Sequence, residues 1–295
     1  MESDGAQSVA LVQRDDIHYH PLFSSPDADI VLAAKGASVY FRLHSHNLKI
    51  ASGFFRQMFM LPQNTQLDNN GILYLEEDEV TLENLFRMIS GLSVPPIDSY
   101  DLVDPLLDAI EKYDTPGPLS IVRLLVMTPA LLNEPFRLYA VACRFGWDDE
   151  AQYASSQTLA YDLHCPDVRP YLTRLSTNAL LRLLDLHRSR REGLRQRLDD
   201  PPFVSGGLAT CNNCNSTIDY HTWRELKYKI ILEMDVRPLG DSISDEGLTD
   251  WSEAKACWQA KCGQPGCSRS LYDKSETLRV IRECIEKLPK MISLS

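Results

Sequence analysis

Residues 41–59, FRLHSHNLKIASGFFRQMF, decide how the first half of the chain folds. Apolar side chains recur along this stretch mostly at three- and four-residue steps, a spacing that predicts a helix pair after Leu43 with one buried stripe. The stretch also contains His44-Ser45-His46, in which two imidazoles flank a hydroxyl. This trio raises three hypotheses: a metal site, a nucleophile with its base, or side chains without a chemical role.

The spacing of the two histidines argues against chemistry. Two side chains two residues apart on a helix point in directions about 200° apart, so His44 and His46 cannot share a metal ion there. On a strand they could share a face, but no cysteine or fitting carboxylate cluster lies nearby to complete a zinc site. Ser45 lies in no Gly-x-Ser-x-Gly elbow. We therefore predict no catalytic residue and no enzymatic activity, and expect His44 to be a packed interior side chain.

The flanking sequence predicts a small sheet followed by helices. Two β-rich runs around Lys35-Gly36 indicate a hairpin between Asp29 and Phe41. A third strand is expected at 72–76, after an Asn-Asn-Gly turn, and a helix near Thr81 follows it. Further predictions are a helix capped by Asp104 with Pro105 at its first position and, after residue 115, helices over 118–127, 135–146, 148–160, 178–198 and 223–234, with two short closing helices.

Charged residues are distributed unevenly along the chain. Residues 1–125 hold 8 Lys plus Arg against 18 Asp plus Glu, whereas the remainder holds 22 against 23. The acidic first part argues against binding of a phosphate backbone there. We predict a flexible lead-in over 1–26, a first domain over 27–115, a helical extension over 116–200 and a cysteine-containing region over 201–295, with a linker at Pro201–Gly207.

Eleven positions between Asp29 and Phe59, taken in order, form a motif that resembles the BTB/POZ domain. These positions are Asp29, Ile30, Val31, Leu32, Phe41, His44, Leu48, Ser52, Phe55, Met58 and Phe59. The segment Leu106–Tyr113 looks like that domain's closing helix. The residues from Pro135 to Leu159 are similar to the helical extension of many fungal members. The resemblance covers roughly residues 27–175.

This resemblance implies an α+β, mostly helical fold: a BTB/POZ helical cluster capped by a small sheet, then an all-helical region. It implies a non-catalytic adaptor or scaffold whose partners are other proteins, through self-association or recruitment to a cullin-type ubiquitin ligase. In the dimeric transcription-factor members, an Arg or Lys after the motif histidine pairs with the aspartate that corresponds to Asp29. Here that residue is Ser45, so we expect the charged pocket to be missing.

Four cysteines near the end form the candidate metal site. Cys211-x-x-Cys214 and the turn Cys262–Cys267 can each direct two thiolates at one tetrahedral zinc ion, although the 47 residues 215–261 separate the two pairs. Cys257 and His221 are competing ligands, and the alternative is a set of reduced thiols without metal. Zinc held by four protein ligands would be structural. Three other cysteines are interpreted as core residues: Cys143, Cys165 and Cys284. Cys284 is placed on a helix capped by Asp273, with Glu276 three residues further on.

An arginine-rich run lies between His187 and Arg197. Its five arginines can be interpreted as a nucleic-acid patch or as the solvated face of a long helix that buries Leu180, Leu184, Leu194 and Leu198. We favour the second interpretation, since the run lacks aromatic stacking residues. A zinc-stabilised nucleic-acid-binding transcriptional regulator stays the alternative function. With no secretory signal and no apolar run of about 18 residues, we expect an intracellular chain, cytoplasmic or nuclear, without a membrane partner.

Overall fold

A computed structural model describes residues 18–61, 71–200, 203 and 209–293. The chain divides into two compact units, Met1–Leu131 and Leu132–Ser295. The fold is α+β and mostly helical, with a small mixed sheet, as predicted. In the part of the chain that the structure describes, no helix is both long enough and apolar enough to cross a bilayer.

A three-stranded sheet in the described part of the first unit has the order β2-β1-β3. Its strands are β1 Ile30–Ala33, β2 Tyr40–Leu43 and β3 Ile72–Tyr74. Strand β1 pairs antiparallel with β2 and parallel with β3, so the predicted hairpin is confirmed. Gly36 has a φ of 70° in the connection, a conformation that costs glycine little. Asn69 and Asn70 of the predicted turn before β3 lie outside the described residues.

The helices of the first unit pack on one another. They are α1 Ser45–Ala51, α2 Gly53–Met58, α3 Glu79–Ile89, α4 Tyr100–Lys112 and α5 Pro116–Leu125. Helix α3 reaches the sheet where Phe86 contacts Phe41 of β2. The predicted helix pair after Leu43 is confirmed. The prediction of one continuous stripe is wrong, because Phe41 lies on β2 and the extended Ser52 separates α1 from α2. Phe41, Leu48 and Phe55 nevertheless all reach the interior.

The predicted start of α4 is wrong. The helix begins at Tyr100, and the hydroxyl of Ser99 accepts a hydrogen bond from the backbone N–H of Asp101 at 3.1 Å. Pro105 therefore lies inside the helix rather than at its first position. The earlier start buries Tyr100 and Val103, and this additional apolar burial outweighs the one backbone hydrogen bond that proline cannot donate.

Within the predicted lead-in over 1–26, residues 18–23 form hydrogen bonds with strand β2. Residues 1–17 lie outside the described residues, but Tyr19 pairs with Tyr40, and the backbone N–H of His20 donates to the Tyr40 carbonyl at 2.8 Å. The His20 ring stacks on Phe41 at 5.2 Å, and Phe23 is buried beside it. This segment covers the outer edge of β2, which satisfies backbone groups that an edge strand would expose.

The second unit is built from helices and loops. In the described residues the helices from Pro129 onward are α6 Pro129–Leu132, α7 Pro135–Phe145, α8 Asp148–Thr158, α9 Arg169–Leu172, α10 Thr177–Arg197, α11 His221–Val236, α12 Leu248–Asp250, α13 Ser252–Gln259 and α14 Lys274–Glu286. Ile243–Gly247 forms a π-helical turn. Leu194 of α10 shares a core with Trp223 of α11 and Ile281 of α14.

These units differ from the predicted divisions. Helix α5 packs on α3 and α4 and belongs to the first unit, so that unit extends past residue 115. The predicted helical extension and the cysteine-containing region share one core rather than forming separate bodies. The predicted linker at Pro201–Gly207 lies outside the described residues except for Phe203, whose ring stacks on Trp223 at 5.1 Å.

Ser52 joins the helix pair to the end of α4. Its hydroxyl donates to the Tyr113 carbonyl at 2.5 Å and accepts from the N–H of Phe55 at 3.1 Å, so one buried oxygen both caps α2 and holds the neighbouring segment. The next backbone N–H, that of Gly53, donates to the Asp114 carbonyl at 2.9 Å. A Cβ on Gly53 would lie 1.8 Å from an Asp114 carboxylate oxygen, so the two segments approach closely.

Ser52→Ala should loosen this joint. The variant loses the cap of α2 and leaves the Tyr113 carbonyl without its hydroxyl donor, a cost of about 1–2 kcal/mol. Hydrogen exchange followed by mass spectrometry should show faster exchange across α1 and α2. The control is Ser120→Ala, which removes an exposed hydroxyl bonded within α5 and should change little. Unchanged exchange over α1 and α2 in Ser52→Ala would contradict this role.

Candidate metal centre

The motif histidine does not lie in the interior. His44 is exposed, and the expectation of a packed imidazole is wrong, because His44 precedes α1 in an extended conformation instead of lying on its buried face. His46 is exposed as well. Among the other motif side chains, Phe41, Leu48, Ser52 and Phe55 are buried, Met58 and Phe59 are half-buried, and Asp29 is exposed.

The Asp29 carboxylate has the uncharged Ser45 as its partner, at the position where the resemblance would place an arginine or lysine. The Asp29 carboxylate accepts the Ser45 hydroxyl at 2.6 Å and the Ser45 backbone N–H at 2.7 Å. These two bonds, the hydroxyl first, lower the pKa of Asp29. Since Ser45 is the first residue of α1, the carboxylate also lies at the helix N-terminus, where negative charge is favourable.

The four predicted metal ligands come together in the second unit. The sulfur atoms of Cys211, Cys214, Cys262 and Cys267 all lie within 4.8 Å of one another. Cys211 Sγ is 3.6 Å from Cys267 Sγ, and Cys214 Sγ is 3.5 Å from Cys262 Sγ. Disulfide sulfurs would be about 2.05 Å apart, so the thiols are free. The two pairs therefore meet despite their separation in sequence.

Two short hairpins present these thiols. In the first, Thr210 pairs with Thr217, and the N–H of Cys211 donates to the Ser216 carbonyl at 2.8 Å. In the second, Lys261 pairs with Ser270, and the N–H of Cys262 donates to the Arg269 carbonyl at 2.8 Å. The residue after each second cysteine has a positive φ, 55° at Asn215 and 44° at Ser268, which turns the chain back.

The hairpins also set the ionisation of the thiols. Hydrogen bonds from Ser216, its hydroxyl first, lower the pKa of Cys214 to about 6. The backbone N–H of Asn213 lowers the pKa of Cys211. The backbone N–H of Gln264 acts the same way on Cys262, but burial and then the neighbouring thiols raise the pKa of Cys262 to about 12. Four adjacent sulfurs can therefore all be anionic only when a cation compensates their charge.

The competing ligands lie elsewhere. Cys257 belongs to the apolar core, where burial raises its pKa to about 12. His221 is exposed at the start of α11 and lies 3.4 Å from Glu225. Neither belongs to the four-sulfur group. Cys284 is buried as predicted, whereas Cys143 and Cys165 are only half-buried, so their interpretation as core residues is wrong.

The arginine run is neither a free cationic face nor a simple solvated one. Arg190 is buried, and its guanidinium donates to the carbonyls of Pro238 and Pro289 at 2.7 Å and of Leu239 at 3.0 Å. Arg191 bonds to Asp235 at 2.5 Å and to Glu192 at 2.9 Å.

The leucine face predicted for this helix is only partly buried. The burial of Leu194 and Leu198 is confirmed, but Leu184 is exposed and Leu180 half-buried. Arg190 occupies a position on the buried face that a leucine would normally fill.

Comparison with known proteins leaves the family open. No protein-family model matches the chain, and no curated protein matches it. The BTB/POZ resemblance of the motif positions therefore stays a prediction, and the metal centre is defined by its own geometry.

Arg190→Met should destabilise the second unit. The change leaves carbonyls at Pro238 and Pro289 without donors inside the protein, at a cost of about 3 kcal/mol. All four tryptophans lie in this unit, so their fluorescence during urea unfolding reports its stability. Arg188→Met, at an exposed position of the same helix, is the control and should change the unfolding free energy by less than about 0.5 kcal/mol. Equal urea midpoints for the two variants would contradict this stabilising role of Arg190.

Proposed function

We propose that the chain is a non-catalytic protein–protein interaction protein, with a first unit of BTB/POZ type and a second unit that holds a structural zinc ion. The observation that carries the proposal is the four-cysteine cluster. Its four thiolates would fill all four positions of a tetrahedral zinc ion, as in structural zinc sites. A catalytic zinc ion, in contrast, needs an open position for water or substrate. Cys211, Cys214, Cys262 and Cys267 would be the ligands.

The sulfur geometry supports zinc in particular. A tetrahedral zinc ion with Zn–S bonds of about 2.3 Å holds its sulfurs about 3.8 Å apart. The closest pairs lie at 3.5 and 3.6 Å, and the whole set lies within 4.8 Å. Thiolates are soft ligands and favour zinc over magnesium or calcium. Bound there, the ion would tie the segment before α11 to the segment before α14.

The surface of the first unit supports the interaction role. Its motif side chains are used in internal packing, while α1 and the turn after α2 expose large apolar side chains. Ile50 is 69% exposed, Met60 77% and Leu61 56%. Exposed apolar side chains of this size suit docking of another protein chain. The acidic balance of residues 1–125 favours a basic partner over a phosphate backbone.

Metal analysis tests the zinc half. The purified chain should contain about one zinc per molecule, and Cys214→Ser should abolish stoichiometric binding. Cys165→Ser, which changes a thiol outside the cluster, is the matched control and should retain the metal. A chelator should lower the urea midpoint followed by tryptophan fluorescence. Zinc far below stoichiometry in the unmodified chain would end this half of the proposal.

Affinity purification with mass measurement of the intact complex tests the interaction half. We expect a complex heavier than the 33.4 kDa chain, made either of two copies or of the chain with another protein such as a cullin. Ile50→Lys should weaken its recovery, because it places a charge in an apolar contact. Leu181→Lys, at a position 53% exposed on α10, is the control. A lone monomer from native cells would contradict this half.

A further inference from the structure

A cleft in the second unit has the chemistry of a binding site for an organic cation. Its volume is about 540 Å³, within the range typical of small-ligand sites. It is lined by the start of α7, the segment from Ala160 to Tyr171, and the end of α11. Every lining residue belongs to the second unit. The cleft is separate from the four-cysteine cluster in its residues.

Aromatic rings form part of its wall. Phe136 is nearly parallel to Tyr171, with ring centroids 6.2 Å apart and an angle of 15°. Phe136 also makes an edge contact with Tyr161 at 5.5 Å. Phe136 is buried, whereas Tyr161 is 43% exposed and can contact a ligand. The faces of such rings attract cations, most strongly where water is excluded.

The charges along the cleft leave an excess of carboxylates. The Arg237 guanidinium bonds to Asp241 twice at 2.6 Å and to the Ala160 carbonyl at 3.2 Å, so each of its nitrogens is engaged. Arg137 lies 3.6 Å from Glu134. Among the described residues, three further lining carboxylates have no cation within 4.0 Å: Asp162, Asp167 and Glu233. Glu233 acts on Arg237 only electrostatically, from beyond that distance.

We propose that this cleft binds an alkylated ammonium group, with Tyr161 contributing a ring face and Glu233 a compensating charge. An alkylated ammonium combines positive charge with an apolar surface, and so matches both the aromatic wall and the carboxylates. The group can belong to a free quaternary ammonium compound or to a methylated lysine of another protein. The inference rests on neither the zinc site nor the BTB/POZ resemblance.

Calorimetric titration of the full chain tests the proposal. The probes are choline, its neutral isostere 3,3-dimethylbutanol, and a short peptide carrying trimethyl-lysine with its unmodified counterpart. Binding of choline at least about tenfold tighter than of the isostere would support a site for free quaternary ammonium compounds. Preference for the trimethylated peptide, with weak choline binding, would support a methylated protein partner.

Matched variants locate the binding. Tyr161→Leu keeps an apolar side chain but removes the ring, and should weaken binding about threefold to thirtyfold. Glu233→Gln should weaken it about twofold to fivefold. Tyr228→Leu and Glu225→Gln change exposed residues of α11 outside the cleft and should bind like the unmodified chain. The proposal is overturned if neither cation binds at about 10 mM, if the isostere binds equally well, or if Tyr161→Leu and Glu233→Gln both leave binding unchanged.

Discussion

The second unit depends on a buried positive charge that has carbonyl oxygens as its partners. Arg190 lies on the buried face of α10, and its guanidinium bonds to carbonyls of two segments far apart in sequence, Pro238–Leu239 and Leu288–Pro289. Burial lowers the pKa of this arginine, because removing the guanidinium from water disfavours its charged form. Because guanidinium donors are fixed in a plane, they hold both segments in one geometry against α10.

The same two segments directly follow the helices that the cysteine hairpins precede. The hairpin of Cys211 and Cys214 leads into α11, which ends just before Pro238, and the hairpin of Cys262 and Cys267 leads into α14, which ends just before Leu288. Each of these two segments, a hairpin followed by a helix, is thus held by Arg190 at its C-terminal end. At their N-terminal ends the two segments meet through the cysteine thiols. Between these points the helices contribute apolar side chains to one core with α10. Among the described residues, this cluster is the only place where four cysteine sulfurs meet. A metal ion bound there would complete the arrangement, because its positive charge would offset the repulsion between the four thiolates.

Local signals in the sequence predicted most of the elements and the sulfur pairs. The hairpin around Gly36, the helix pair, and the helix capped by Asp273 are encoded by residues close together in the chain. The failures have a common cause. Residue type and helical spacing predict a solvated Arg190 and a packed His44, but the burial of Arg190 depends on acceptors 48 and 99 residues away. Helical spacing also assigns His44 to a helix, whereas it is the extended residue that precedes one. The meeting of the two cysteine pairs was predictable from thiolate chemistry, whereas the acidic aromatic cleft had no contiguous signal.

The end of α11 takes part both in the contacts of Arg190 and in the cleft. Glu233 and Arg237 line the cleft, and the next residues, Pro238 and Leu239, are those that Arg190 holds. The backbone N–H of Leu239 also donates to the Leu159 carbonyl at 2.9 Å, and Arg237 reaches the adjacent Ala160 carbonyl. The end of α11 is therefore fixed to the segment after α8, which carries Tyr161. Binding costs least where the contacting groups are already in place. The hydrogen bonds between the end of α11 and the segment after α8 therefore preorganise the side of the cleft to which Glu233 and Tyr161 belong. Stability and recognition in this unit thus both depend on how the end of α11 is held in place.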